Sequence, residues 1–481
     1  MNAAIITRYD LMLAAPEIFL LAAACVILVV DLFLDDRQRW QTFVLSVAAL
    51  AGTAWIAART GVPARAVGWH GTYVGDPLGT LLKIVGCGAV AVAFLYSYGY
   101  LARRGILKGE YFVLGLFALL GIMVLASANS LVTIYLGVEL LALSLYAMVA
   151  YHRDSGSAAE AAIKYFVLGS IASGALLYGI SMIYGVTGTL ELGRLAQAVA
   201  TLGPQQVGLL FGLAFVIVGV AFKFGAVPFH MWVPDVYEGS PTAVTLFISS
   251  APKLASFALA FRLLGEGLAG LHPSWMQMLA VVAVLSMAIG NVVAIAQSNL
   301  KRMLAYSTIS HVGFILLGIL TGTAEGYQSA LYYTIAYVIM SIGGFGMVIL
   351  LSRSGFEAER IDDFRGLSSR SPWFAAVMLM LMFSMAGVPP FIGFWAKLAV
   401  IQAALHVGAL WLAVIAVAFS VVGAYYYLRV VKVMYFDEPD ERRALEGGRA
   451  LRFVLSLNGL AVLLLGLFPG LLLALCASVL P

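Results

Sequence analysis

Charge is scarce in this 481-residue sequence. Its 28 Lys and Arg and 24 Asp and Glu make up 11% of the chain, where a soluble domain carries about 25%. Cysteine is scarcer still: Cys25, Cys87 and Cys476 stand far apart, with no CxxC and no cluster spacing. That argues against an iron–sulfur or zinc site and leaves the redox compartment undetermined. There is no P-loop, no GxGxxG fingerprint and no HExxH, so visible equipment for nucleotide or redox chemistry is missing. Ten-residue strands of alternating polarity are also lacking, which excludes a transmembrane β-barrel. The net charge of +4 rests on basic residues in short loops and is no nucleic-acid signal.

What is abundant is apolar surface, 62% of residues with a mean hydropathy of +0.98. In lipid only helices or closed barrels satisfy their own backbone, so the expectation is an all-α polytopic membrane protein. Fourteen apolar runs are long enough to span, near 11–34, 40–58, 78–101, 110–127, 130–151, 160–184, 207–232, 240–263, 274–297, 301–321, 326–352, 371–402, 407–434 and 452–479. The first has no convincing signal-peptide flank or cleavage site and reads as a retained span. Loops after odd-numbered spans hold 18 Lys and Arg, including Lys301, Arg429, Arg442 and Arg443, and the other side five, including Arg262. The positive-inside rule puts the first group in the cytoplasm and both termini on the periplasmic side.

The chain is organised around Phe222-Lys223-Phe224-Gly225-Ala226-Val227-Pro228-Phe229-His230-Met231-Trp232. A lysine at mid-membrane costs roughly 2.5–3.5 kcal/mol and normally faces protein or water. Pro228 has no N–H for the Phe224 carbonyl, so the helix is expected to break there. A proline kink with a snorkelling lysine is the bland alternative, and Lys223 lies far from either end for that. The stretch Gly387 to Lys397 repeats the Gly, Pro-Phe, Trp and Lys elements, with Pro389 and Pro390 at the break. Paired interrupted spans in two halves point to a transport site. The breaks fall in the seventh and twelfth spans, five apart, so the copies are inverted. The expected layout is three N-terminal spans (1–109), a first five-span repeat (110–263), its inverted copy (274–437) and a last span (450–481).

Five lysines (Lys83, Lys164, Lys223, Lys253, Lys397) and one glutamate, Glu139, lie inside spans, while Glu17 and Asp31 sit nearer the ends of the first. Desolvation favours a neutral lysine and a carboxylate favours a charged one, so Glu139 and Lys223 form a natural switch for holding or releasing a proton. Lys253 follows, His311 is suited to relay between lysines, and Lys397 is the terminal donor. For Lys164 and Lys253 the alternative is a structural ion pair, and for His311 a satisfied core histidine. His230 either caps carbonyls freed by the break or joins the path. Lys83 snorkels or makes a contact within the bundle. Tyr425-Tyr426-Tyr427 is most simply an interfacial aromatic belt.

Pro228 to Thr242, followed by Lys253, and Asn299 to His311 resemble the antiporter-like membrane subunits of respiratory complex I, and the likeness covers nearly the whole chain. Lys397 stands where the M-type subunit is expected to carry a glutamate, and the end at Pro481 leaves out the lateral helix expected of the L type. The resemblance implies a proton-pumping module driven by quinone reduction elsewhere. It assigns Glu139, Lys164, Lys223, Lys253, His311 and Lys397 to a proton relay. NAD, FMN, iron–sulfur clusters and quinone would belong to other subunits, and the partners would be subunit M, the small membrane subunits and the bilayer. The alternatives are a subunit of a multi-subunit Mrp-type cation/proton antiporter and a spacer that no longer pumps.

Overall fold

The computed structural model describes residues 6–439 and 447–480; Asp440, Arg442, Arg443 and Pro481 lie outside the described residues. Fourteen spans are found among the described residues. Eleven of them include a helix long and apolar enough to cross a membrane. The remaining spans are the first (Ala15–Asp31), the fourth (Glu110–Ala126) and the twelfth, which is split into Pro372–Ala386 and Ile392–His406. The seventh is likewise split into Val207–Phe224 and Trp232–Gly239. The eighth is interrupted before Pro252, running Thr242–Ser249 then Pro252–Ala260, and ends in a π-helix over Phe261–Gly267. The spans used below are the third (Pro77–Arg103), fifth (Leu131–Val149), sixth (Gly156–Thr187), ninth (His272–Ile295), tenth (Leu300–Ile319), eleventh (Ala324–Leu351), thirteenth (Leu410–Phe436) and fourteenth (Arg449–Leu467, then Pro469–Val479).

Two small elements lie between spans. Ala66–Gly68 pairs antiparallel with Tyr73–Gly75 in a short ribbon. Leu192–Leu202 is an amphipathic helix that turns Leu192, Leu195 and Val199 inward. Its eleven residues are too short and too polar to register as a span.

The inverted repeat is written in backbone hydrogen bonds. Leu131 N–H donates to the Leu190 carbonyl (2.8 Å) and Leu192 N–H to Asn129 (3.0 Å). The same ladder recurs 169 residues on, with Leu300 donating to Glu359 (131 to 300, 190 to 359) and Ile361 to Ser298 (192 to 361, 129 to 298). Ser130 caps the fifth span and Asn299, at the equivalent place, caps the tenth. The breaks match too. Gly225 (φ 76°) and Gly387 (φ 89°) end their half-helices in the left-handed region that glycine adopts at no steric cost. Ala226 N–H returns to Ala221 and Val388 N–H to Phe383, each bond closing the Schellman turn. The peptides before Pro228 and Pro390 are both cis.

The eighth span is buried throughout, and the tenth and eleventh nearly so. The protein's core therefore lies where the two repeats meet, and lipid-accessible surface is left to the outer spans.

Candidate functional site

Breaking a helix inside a bundle leaves carbonyls that need donors. At the first break the Phe224 carbonyl, the one Pro228 cannot serve, accepts from Lys253 Nζ at 2.7 Å. Trp232 Nε1 donates to the Phe222 carbonyl and Ser256 Oγ to that of Lys223. Val227 N–H finds Ser286 Oγ on the ninth span at 2.9 Å. His230 lies against the Pro228 backbone, and its buried Nδ1 has no hydrogen-bond partner among the described residues.

Lys223 and Lys253 line one small cavity together with Tyr165, Trp232, Ser256 and the apolar face of the fifth span. Its volume of about 20 Å³ holds a water molecule, which takes about 10–15 Å³. Glu139, on the fifth span, is the carboxylate acting on Lys223. It is half-buried, and its Oε1 makes no hydrogen bond among the described residues.

The second half carries a different set of groups. Lys397 Nζ donates to the Ala386 carbonyl (2.8 Å) and to Ser420 Oγ (2.9 Å), and lies 5.1 Å from the centre of the Phe314 ring. His311 is buried with both ring nitrogens engaged, Nδ1 with Tyr333 (2.7 Å) and Nε2 with Tyr427 (3.0 Å). Phe314 stacks on Tyr333, so aromatic rings lie between the imidazole and Lys397, whose charge acts on it.

Several expectations need correcting. The lysines of the two broken spans are not equivalent: Lys223 precedes its glycine and Lys397 follows its own. In the register that lays Gly225 on Gly387, Lys397 falls on Asp235 and Lys223 on Met385. Tyr425-Tyr426-Tyr427 is not a belt. Consecutive helical residues point about 100° apart, so Tyr425 faces outward while Tyr426 and Tyr427 are buried, the latter on His311. Arg262 is not in a loop. It is fully buried in the π-helix, donating to the Ala126 carbonyl and paired with Asp76 (2.7 Å) and Glu266 (2.9 Å). Lys301 is likewise buried at the start of the tenth span, donating to the carbonyls of Glu238 and Ser240.

Lys164, Lys83 and the two acids of the first span sit in ion pairs. Lys164 is half-exposed on the sixth span, between Asp235 (2.8 Å) and Glu160 (2.9 Å). Arg302 joins the same cluster through Asp235 and Glu238. Lys83 makes a contact within the bundle: it meets Glu17 at 2.8 Å and Tyr73 at 2.7 Å, all three buried. Asp31 takes Arg39 (2.6 Å) and Thr42. Both acids of the first span are buried.

Comparison with known proteins gives this geometry a family. Residues 128–423 match the family described as NADH:quinone oxidoreductase/Mrp antiporter, TM. NADH-quinone oxidoreductase subunit N of Thioalkalivibrio sulfidiphilus is 58% identical over 470 residues, 98% of each chain. That of Thiobacillus denitrificans is 56% identical over 467 residues, 97% of this chain and 96% of its own. A chain of respiratory complex I from Thermus thermophilus superposes with a TM-score of 0.82 at 30% identity, covering 96% of this chain and 99% of that one. A chain of the Mrp complex from a Dietzia species gives 0.85 at 23% identity, covering 98% and 97%, a likeness of fold alone. Broken helices, buried lysines and inverted repeats define an antiporter-like membrane module. At 58% identity over nearly its whole length, the chain belongs to the NADH-quinone oxidoreductase subunit N family.

Proposed function

We propose that this chain translocates protons across a bacterial inner membrane as the N subunit of an NADH:quinone oxidoreductase. The observation that carries the reading is the shared cavity of Lys223 and Lys253 at the first helix break, with Glu139 acting on Lys223. Approach or neutralisation of the Glu139 charge changes how firmly Lys223 holds its proton. Lys253 takes the proton next, His311 carries it into the second repeat, and Lys397 is the last donor. Lys164 serves at the edge, setting the field of the Asp235–Arg302 cluster. The lysine- and arginine-rich loops face the cytoplasm and both termini the periplasm. Flavin, iron–sulfur clusters, the NADH site and the quinone site belong to other subunits, and subunit M and the small membrane subunits are the neighbours. The Mrp-type reading has fold likeness behind it at 23% identity, against 58% for subunit N.

The test is NADH-driven proton pumping, measured beside quinone reduction, in membranes whose assembled complex carries Lys223→Ala. Loss of both together supports an obligatorily coupled path through Lys223. Parent-like rates for both sink it and leave the broken helix as architecture.

A further inference from the structure

Each repeat closes one of its ends with an arginine. Arg262, on the eighth span, is fully buried and donates from Nε and Nη2 to the Ala126 carbonyl at 3.2 and 2.8 Å. Arg429, half-buried on the thirteenth span, donates from Nη1 to the Ile295 carbonyl at 2.9 Å and from Nη2 to that of Gln297. Ala126 and Ile295 are the last helical residues of the fourth and ninth spans. They stand 169 residues apart (126 to 295), the same shift as the paired ladders. In both repeats, then, an arginine of the last span holds the end of the first. The fourth and ninth spans are five apart, so the two arginine-held ends lie at opposite membrane faces.

Both arginines stand directly behind groups assigned to the relay. Leu125 and Leu259 line the cavity that holds Lys223 and Lys253. Leu125 precedes Ala126, and Leu259 comes one turn before Arg262, so the guanidinium backs that wall. Arg262 also meets Asp76 (2.7 Å) and Glu266 (2.9 Å), and Glu266 takes the exposed Arg65 at 2.6 Å. Polar groups therefore run from Arg262 out to the surface. In the second repeat Arg429 comes two residues after Tyr427, which holds His311. Ile295 lies one turn beyond Asn291, which accepts from the Tyr426 hydroxyl at 3.0 Å.

A buried ion pair is weak evidence for stability, because well-packed apolar residues often replace one without loss. The chemistry of the guanidinium supplies another reason for its place. A proton path needs groups that accept a proton on one side and release one on the other. A guanidinium has donors only, and it does not deprotonate in proteins. Lysine, histidine, carboxylates and water pass protons on; arginine ends the row.

We propose that Arg262 and Arg429 are proton barriers, sealing the first repeat at one membrane face and the second at the other against leak from the relay. The proposal rests on the relay reading above. With Arg262 in place, a proton leaving Lys253 toward Asp76 meets a cation and no acceptor. Without it, water enters the space of the lost side chain, and Asp76 and Glu266 become acceptors that lead to the surface.

The experiment reconstitutes the purified complex in vesicles of phosphatidylethanolamine and phosphatidylglycerol. Passive proton entry is read without NADH under an imposed potential, with sodium entry measured beside it. Arg262→Met combined with Asp76→Asn removes one charge of each sign. It is expected to admit protons several-fold faster than the parent, with sodium entry unchanged. Under NADH its quinone reduction should continue while the steady pH gradient falls. Arg429→Met, whose contacts among the described residues are backbone carbonyls, opens the other seal independently should the first variant not assemble. Arg194→Ala, at an exposed pair with Glu191, should be as tight as the parent. Parent-like proton entry in either assembled barrier variant, while Lys223→Ala pumps nothing, overturns the barriers and leaves the relay standing. Faster entry of protons and sodium together also overturns them, since it marks a loss of packing. Parent-like pumping in Lys223→Ala removes the relay itself.

Discussion

Lys253 and Lys397 hold equivalent carbonyls from different places in the chain. Lys253 reaches back from the eighth span to the Phe224 carbonyl at 2.7 Å, and Lys397 reaches within its own broken span to Ala386 at 2.8 Å. Phe224 and Ala386 are equivalent, each standing just before the left-handed glycine of its break. The last carbonyls of a helix carry its negative dipole end, so an ammonium there is both bonded and electrostatically favoured. Each lysine's proton is therefore tied to the geometry of a break, and a shift of either half-helix alters how tightly it is held.

That tie separates a proton carrier from a mere cap. Arginine keeps a charge and donors at the carbonyl but does not deprotonate in proteins. Lys253→Arg and Lys397→Arg are expected to assemble and to pump almost nothing, as Lys253→Met and Lys397→Met should. Pumping near the parent rate in either arginine variant would make the lysine a structural cap. The measurement is NADH-driven acidification by vesicles carrying each variant.

Much of this was readable from the sequence, for reasons that also mark where reading stopped. A lysine or proline inside an apolar run declares itself by its cost, which is why Lys223, Lys253, Lys397 and both breaks stand out. Glycine at 225 and 387 needed only the knowledge that a broken helix ends in a left-handed residue. The hydroxyl of Tyr333 that holds His311 costs little in a helix and looks like that of any aromatic residue, so nothing flagged it. Tyr427 was hidden among three consecutive tyrosines whose directions only the helix phase separates. Arg262 read as a loop residue because its acids, Asp76 and Glu266, come from a distant loop and from one turn along an irregular helix. The paired ladders at Leu131 and Leu300 are backbone contacts, invisible to side-chain patterns.

Glu139→Gln removes the charge acting on Lys223 and leaves the shape of the fifth span intact. Its Oε1 makes no hydrogen bond among the described residues, so little packing is lost and the subunit should reach the complex at parent levels. Pumping and quinone reduction are expected to fall together, well below half the parent rates. Glu139→Asp, which shortens the reach but keeps the charge, should retain more of both. Equal rates in Glu139→Gln and the parent would detach Glu139 from Lys223.

Glu17 and Lys83 give a prediction about stability. Their side chains are only 9% and 6% exposed, so either charge left alone is uncompensated. Breaking a buried pair costs about 3–5 kcal/mol, whereas replacing both members with apolar residues of similar size is often neutral or better. Lys83→Met alone should sharply lower the thermal stability of the purified complex's membrane arm. Glu17→Leu with Lys83→Met should recover most of it, short of the Tyr73 hydroxyl's lost partners. A double variant as unstable as the single would mean the pair is not the source of the loss.

Gly393 tests how closely the second broken span is packed. It follows the break, and its N–H donates to Ser384 Oγ of the other half-helix at 3.0 Å. A Cβ there would meet the Ser384 backbone carbonyl far inside van der Waals contact. Backbone cannot swing aside as a side chain does, so the halves must separate, and overpacking of this kind typically costs 1–3 kcal/mol or more. Lys397 sits one turn beyond Gly393, so the same displacement pulls its ammonium from Ala386. Gly393→Ala is therefore expected to lower both the melting temperature of the complex and its pumping. Gly174→Ala, on the sixth span with open space around the added carbon, should change neither. A Gly393→Ala complex that melts lower yet pumps like the parent would show that the Lys397–Ala386 contact is dispensable to the proton path.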